Sequence, residues 1–333
     1  MNVSSQVALE LDGYSGVIEL GEAKGNYAAE ERSSSIVIHS KVLPVDEAGS
    51  LDTTHRLEEE IPAAIIHLGL AENRKLVSVE TLSVNSLEFK IPDNSGRKVE
   101  SGRITDSGRD LLHSTAPINL IMAESDGDPR IVRSDDAGRF VCNEIYFRTL
   151  EAVEGAQIKD RHGRALPVVF VHLPPPEEIP FEEQVEIVRR IAGIVVQRPS
   201  VPVVGGLLRD SEGRLMAARR APHEFMGGYW EFPGGKVESG ESFEEAIVRE
   251  FMEEFSWSIK PLSICERFSH AWPEMVVHLT FFVCEPDGEL PDAVLTSHDE
   301  YRWLADEELD SVNWLPPDIE FVQRIMTIGA SNL

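Results

Sequence analysis

Cysteine is scarce: Cys142, Cys265 and Cys284 are the three in a chain of 333 residues. They are odd in number and far apart, which argues against a disulfide framework and against a cysteine-built metal site. A reducing, cytoplasmic setting is therefore expected. Long apolar runs are lacking too. No stretch approaches the roughly 20 residues of a membrane span, and the opening MNVSSQVALELDG has neither the basic patch nor the apolar run of a signal peptide, so no membrane partner is expected. Basic residues are few, 31 against 58 acidic, which leaves a formal net charge of -27. Such a field repels nucleic acid polymers and anionic lipid unless a cation intervenes. Aromatics make up only 7%, yet 42% of residues are hydrophobic and 27% charged. That composition supplies buried cores and lies outside that of disordered, collagen-like or coiled-coil chains.

The length favours two domains over one. Short β-branched runs (SSIVIHSKVL, AAIIHLGL, LVSVETLSV, LPVVFVHL) alternate with longer polar or amphipathic stretches through the first 180 residues, the pattern of an α/β domain. From Phe181, FEEQVEIVRRIAGIVVQ spaces Val185, Ile187, Val188, Ile191 and Ile194 as the apolar face of a helix. QRPSVP then reads as a short linker near residues 196–201, which divides the chain into 1–197 and 198–333. Beyond it the expected order is strand, turn, strand, a Gly/Pro-rich loop WEFPGGKVESG, a helix from about Ser242 to Phe255, strands around MVVHLTFFVCE and EYRWL, and an amphipathic end DIEFVQRIMTI.

Glu250, Glu253 and Glu254 stand at relative positions 0, 3 and 4, which a 3.6-residue period stacks on one helix face. Like charges so spaced destabilise a helix by about 0.2 to 0.5 kcal/mol per pair. Alone, the face is either a solvated acidic surface or the holder of a hard cation such as Mg²⁺, which takes a few carboxylates plus substrate phosphates.

In GKVESGESFEEAIVREFMEEFSW, Gly235, Glu241, Arg249, Glu250, Glu253 and Glu254 fall at the offsets of the Nudix box, so this segment resembles the Nudix hydrolases, and WEFPGG and EYRWL resemble their MutT-like branch. The resemblance implies a Nudix α/β/α sandwich with a mixed sheet. It also implies Mg²⁺-dependent hydrolysis, with Mn²⁺ as a substitute, of a nucleoside triphosphate to monophosphate and pyrophosphate. The Gly235 carbonyl, Glu250, Glu253 and Glu254 would hold the metal; Arg249 would orient the carboxylates, and Glu241 would assist from the loop. Gly234 would lie against the substrate. Arg220, and Asp318 in WLPPDIEF, map loosely to base-contacting positions, and an 8-oxo-dGTP-like or a cytidine nucleotide are the bases considered. Asp318 is equally a helix N-cap. Glu300 in HDEYRW is either a further ligand or base, or a surface charge. Ser256 replaces the family's glycine at the helix exit, which puts the exit geometry in question and removes no ligand.

In the first domain, a lone Cys142 would ordinarily be packing and a lone His172 a core residue. With Glu80 in VSVETLSVN, Cys142 in DDAGRFVCNEIYF and His172 in VVFVHLP, and with IHLGLAENRKLVSVE and IPDNSG nearby, residues 38 to 195 resemble pyroglutamyl peptidase I and its α/β sandwich. The resemblance implies a Cys142–His172 nucleophilic pair oriented by Glu80, with Cys142 opening a helix whose N-terminus favours the thiolate. The family's N-terminal aromatic segment is replaced by LELDGYSG, with Tyr14 as its candidate remnant. The leading expectation is a nucleotide pyrophosphohydrolase. The alternatives are a cysteine peptidase that removes N-terminal pyroglutamate, with the Nudix unit auxiliary, and a nucleotide sensor without hydrolysis.

Overall fold

A computed structural model describes residues 2–20, 28–106, 108–125 and 128–329. It contains two compact units, Met1–Pro199 and Ser200–Leu333. The first runs through α1 (Val3–Leu11), β1 (Ser15–Glu19), β2 (Ala28–Ala29), β3 (Ser33–Val37), α2 (Glu47–Leu57), β4 (Ile65–Leu70), β5 (Val77–Glu80), β6 (Leu82–Val84), β7 (Leu111–His113), α3 (Ile118–Glu124), β8 (Ile131–Ser134), α4 (Val141–Gly155), β9 (Val168–Leu173) and α5 (Phe181–Val195). Its main sheet has the order β4-β9-β5-β8. It is mixed: β9 is parallel to β4 and antiparallel to β5, which is parallel to β8.

The apolar run VVFVHL is buried along its whole length, as a strand covered on both faces requires. Its side chains alternate between two cores. Val169, Val171 and Leu173 pack with apolar residues of α1, α3 and α5, and Val168 and Phe170 pack with α4. Helix α5 buries Ile187, Val188, Ile191 and Ile194, the stripe that its spacing predicts.

The second unit contains β10 (Pro199–Leu208), β11 (Leu215–Arg220), β12 (Trp230–Glu231), β13 (Gly234–Lys236), α6 (Phe243–Phe255), β14 (Ile259–Ala271), β15 (Val276–Pro286), β16 (His298–Leu304), a 3-10 turn (Asp306–Ser311) and α7 (Pro316–Ile328). Two sheets, β13-β10-β15-β14 and β12-β11-β16, form the middle layer. Leu207, Leu215, Ala217, Leu279 and Phe281 face Phe321, Val322 and Ile325 of α7. Val204, Leu208, Met216, Ala218, Phe282 and Cys284 face Ala246, Ile247, Phe251 and Phe255 of α6. This is a helix-sheet-helix sandwich. Three expectations are corrected. Strand β10 starts at Pro199, so the second half of the stretch expected as a linker at 196–201 is strand. The glycine loop is partly strand, because β13 pairs with β10. Strand β14, the longest at 13 residues, was not anticipated: Pro261, irregular pairing and exposed polar positions hide its alternation.

One core histidine bears on acid stability. His67 on β4 places Nε2 3.0 Å from Thr149 Oγ1; that hydroxyl donates to the Ile145 carbonyl at 2.8 Å and so accepts from the imidazole. Burial pushes His67 down to about 4. The unfolded chain therefore takes up a proton below about pH 6.5 that the folded chain refuses until about pH 4, and stability falls across that window by about 1.4 kcal/mol per pH unit, about 3 kcal/mol in all. In His67→Gln, denaturant unfolding followed from pH 7 to 4 should lose this part of the acid dependence. An identical slope in the variant would mean that other groups carry it.

Candidate active sites

Helix α6 begins with a capping box. Ser242 Oγ accepts the Glu245 N–H at 3.2 Å, and the Glu245 carboxylate accepts the Ser242 N–H at 2.8 Å. With the apolar stripe turned into the core, Arg249 is left among carboxylates. Its Nε and Nη2 donate to Glu241 at 2.8 and 2.9 Å, its Nη1 to Glu250 at 2.8 Å and Glu253 at 3.1 Å, and its Nη2 also to the Lys236 carbonyl at 2.9 Å. One guanidinium thus ties the start of the helix segment, its middle and β13 together. Both glycines of β13 are closely approached, Gly234 by backbone and Gly235 by the end of a side chain. A Cβ on Gly235 would stand 2.3 Å from the Glu250 carboxylate, and one on Gly234 2.0 Å from the Val204 carbonyl oxygen. Strand pairing with β10 accounts for the lack of a side chain at Gly234. Ser256 takes the left-handed cap (φ 58, ψ 34), and its N–H returns to the Met252 carbonyl, so the helix exit keeps the geometry that glycine favours, at a cost of roughly 1 kcal/mol.

The three expected ligands differ in setting. Glu253 is mostly exposed and Glu250 is largely covered, and burial, opposed by Arg249, raises the Glu250 carboxyl. Glu254 is buried, its Oε2 has no hydrogen-bond partner, and burial followed by the nearby Glu231 and Glu250 charges pushes it up to about 8. An orphaned carboxylate oxygen beside an all-oxygen donor set fits a hard divalent cation. Among the described residues no three His, Cys, Asp or Glu side chains are already gathered as a metal centre; Glu250 and Glu253 share Arg249, which does not reach Glu254.

Next to Glu254 lies a polar group in which Arg220 meets two residues that the spacing did not reveal, the half-buried Glu231 and the buried His298. Arg220 donates to both Glu231 oxygens at 2.8 and 3.0 Å, and His298 Nε2 donates to Glu231 Oε1 at 2.9 Å. The other ring nitrogen of His298 has no hydrogen-bond partner and lies 3.9 Å from Glu254 Oε2. Asp318 is buried, and its carboxyl is raised well above the usual range by burial and then by Glu231, against the pull of Arg220. It is the third residue of α7, whose N-cap is Leu315, so the capping role considered for Asp318 is corrected. Glu300 pairs with Arg219 and Arg302 at 2.9 and 2.6 Å.

In the first unit, His172 and Phe170 share a face of β9. His172 Nδ1 donates to Glu80 Oε1 at 2.7 Å, which fixes Nε2 as the ring's acceptor. Arg74 Nη1 donates to the same Glu80 oxygen at 2.6 Å. Across the β4–β9 ladder His172 pairs with Gly69, and the Cys142 sulfur lies 3.0 Å from where a Gly69 Cβ would stand. Cys142 is the second residue of α4, but burial, with Glu80 adding, pushes its thiol up to about 11. Desolvation therefore outweighs the helix N-terminus that was expected to favour the thiolate. A cavity of about 1290 Å³ is lined by Gly69, Leu70, Phe140, Cys142 and Phe170 among others. Tyr14 is not its aromatic wall: the ring packs under Arg189, 5.7 Å from the guanidinium.

Residues 20–189 match the pyroglutamyl peptidase family model, and residues 199–325 match the NUDIX domain. A pyrrolidone-carboxylate peptidase of Pyrococcus furiosus is 30% identical over 183 residues, 54% of this chain and 76% of that protein. An 8-oxo-dGTP diphosphatase of Proteus vulgaris is 31% identical over 99 residues, 29% of this chain and 88% of that protein. Among solved structures, a mutant pyrrolidone carboxyl peptidase from Pyrococcus furiosus (TM-score 0.46, 26% identity) covers 59% of this chain and 91% of its own. A MutT protein from Methanosarcina mazei (TM-score 0.36, 27% identity) covers 40% and 97%.

Proposed function

The chain belongs to the pyroglutamyl peptidases through its first unit and to the Nudix hydrolases through its second, and on that premise we propose that its principal activity is the Mg²⁺-dependent hydrolysis of a nucleoside triphosphate to the monophosphate and pyrophosphate. The observation that carries this reading is Glu254, a buried carboxylate with an unpartnered oxygen on the helix face that also bears Glu250 and Glu253. Those three, with the Gly235 carbonyl, would hold the ion. A bound Mg²⁺ supplies Lewis acidity that lowers the pKa of water and neutralises phosphate charge. Arg249 keeps Glu241, Glu250 and Glu253 on one side of the helix. Arg220, fixed by Glu231, and Asp318, buried beside them with its carboxyl raised by desolvation, would read the base, with 8-oxo-dGTP the first substrate to try because the Proteus vulgaris relative carries that name.

A second activity is favoured by the Glu80–His172 bond beside Cys142. His172 Nε2 would take the thiol proton, sulfur would attack the carbonyl of an N-terminal pyroglutamyl residue, and the leaving amine would recover the proton before water cleaves the thioester. The purified chain, incubated with Mg²⁺ and a panel of common and oxidised nucleoside triphosphates, should convert at least one to monophosphate and pyrophosphate. If all remain intact, the principal reading falls. A fluorogenic pyroglutamyl amide tests the second reading in parallel.

A further inference from the structure

We propose that Arg74 is a positioning residue of the first unit: a fixed cation that shares the Glu80 carboxylate with His172 and so offsets the pull of Glu80 toward the imidazolium, leaving His172 Nε2 to accept the Cys142 proton. The inference rests on the peptidase reading above and adds a fourth member to its three residues.

Glu80 is completely buried. Both of its side-chain hydrogen bonds fall on Oε1, from Arg74 at 2.6 Å and His172 at 2.7 Å, and Oε2 has none. A carboxylate so placed depends on its charge partners, because nothing else replaces its hydration. Arg74, in the connection between β4 and β5, is itself held, donating to Ser134 Oγ at 3.1 Å and to the Asp136 carbonyl. It is aimed at Glu80 by contacts that involve neither His172 nor Cys142.

The charge count gives the sign. With Arg74 present, Glu80 and a neutral His172 complete a set of net charge zero, and protonating the imidazole makes a buried group positive. Without Arg74 the set is negative, and protonating the imidazole neutralises it. Arg74 therefore opposes the imidazolium that Glu80 alone would promote. The other groups around His172 do not take over this role. Cys142 and Tyr146 come from α4, with the Tyr146 hydroxyl donating to the Glu80 carbonyl at 3.0 Å. His67 of β4, beyond Phe170, is buried and uncharged. Of these groups only Arg74 carries a positive charge that does not titrate.

The test is the titration of His172 in the full chain, followed by ¹⁵N NMR of the imidazole and assigned with His172→Gln. Arg74→Gln should raise its pKa by about 1 unit or more. Arg74→Lys, which keeps the charge, should stay near the wild-type value. Glu80→Gln should lower it, and the double variant should return toward wild type. The acidic limb of kcat/KM for a pyroglutamyl amide should move in the same directions. A wild-type titration in Arg74→Gln, or an equal shift in Arg74→Lys, overturns the proposal. Should Arg74→Gln not fold, a pKa that fails to drop in the isosteric Glu80→Gln overturns it instead. A wild-type chain that leaves pyroglutamyl amides intact counts against the peptidase reading alone, since the imidazole titration still decides the role of Arg74.

Discussion

Glu253→Gln should lower nucleotide turnover by about 10²–10³-fold, on the order of 3 to 4 kcal/mol of transition-state stabilisation, with little change in thermal unfolding. The two halves of this expectation have different origins. Glu253 is largely exposed, and its carboxylate accepts from Arg249 at 3.1 Å, an ion pair of a kind that contributes about 0 to 1 kcal/mol. An isosteric amide should therefore leave the fold intact. The charge, by contrast, is a third of what the helix face offers a divalent cation, and an amide oxygen replaces it poorly. Steady-state rates at saturating Mg²⁺, with circular dichroism melts of both proteins, check both halves. An unchanged rate would remove Glu253 from the metal-holding set.

Cys142→Ala should abolish release of a fluorophore from a pyroglutamyl amide, by at least about 10³-fold, since no other group can form the thioester. Nucleotide hydrolysis should be untouched, because every residue assigned to it lies in the second unit. Substitution removes one sulfur at the cavity wall, and the Glu80–His172 bond does not involve it. Measuring both activities in one preparation distinguishes a lost nucleophile from a misfolded chain. Residual amide cleavage at the wild-type rate would reduce Cys142 to a packing residue.

The mixed α/β architecture was legible because it rests on local patterns: the buried apolar run of β9, the stripe of α5, and the carboxylate face of α6 are each read within one element. The box residues were legible for the same reason, since a helical period and two glycines fix their relations over a short span. Arg74, Glu231 and His298 were not. Arg74 sits in a connection without periodicity, and Glu231 and His298 meet only because β11 lies between β12 and β16, far apart in the chain. Within HDEYRW the acidic Glu300 was the more obvious candidate. A bulge between Arg219 and Arg220 sets Glu300 opposite Arg219 but brings His298 opposite Arg220, and no spacing in the sequence announces a bulge. The desolvation that raises the Cys142 thiol was not legible, because a helix N-terminus can be read from sequence while burial cannot.

The alternation of β10, β11 and β15 between two cores governs where this unit tolerates a change in length. In β11, Leu215 and Ala217 serve one core while Met216 and Ala218 serve the other, so neither face is spare. A single-residue insertion or deletion within the strand would exchange the two sets, pressing methionine where alanine fits and withdrawing leucine from the opposite side. A change in length should therefore be tolerated in turns such as 210–214, where Arg214 folds back on Asp210, and not within the strands of the sandwich interior.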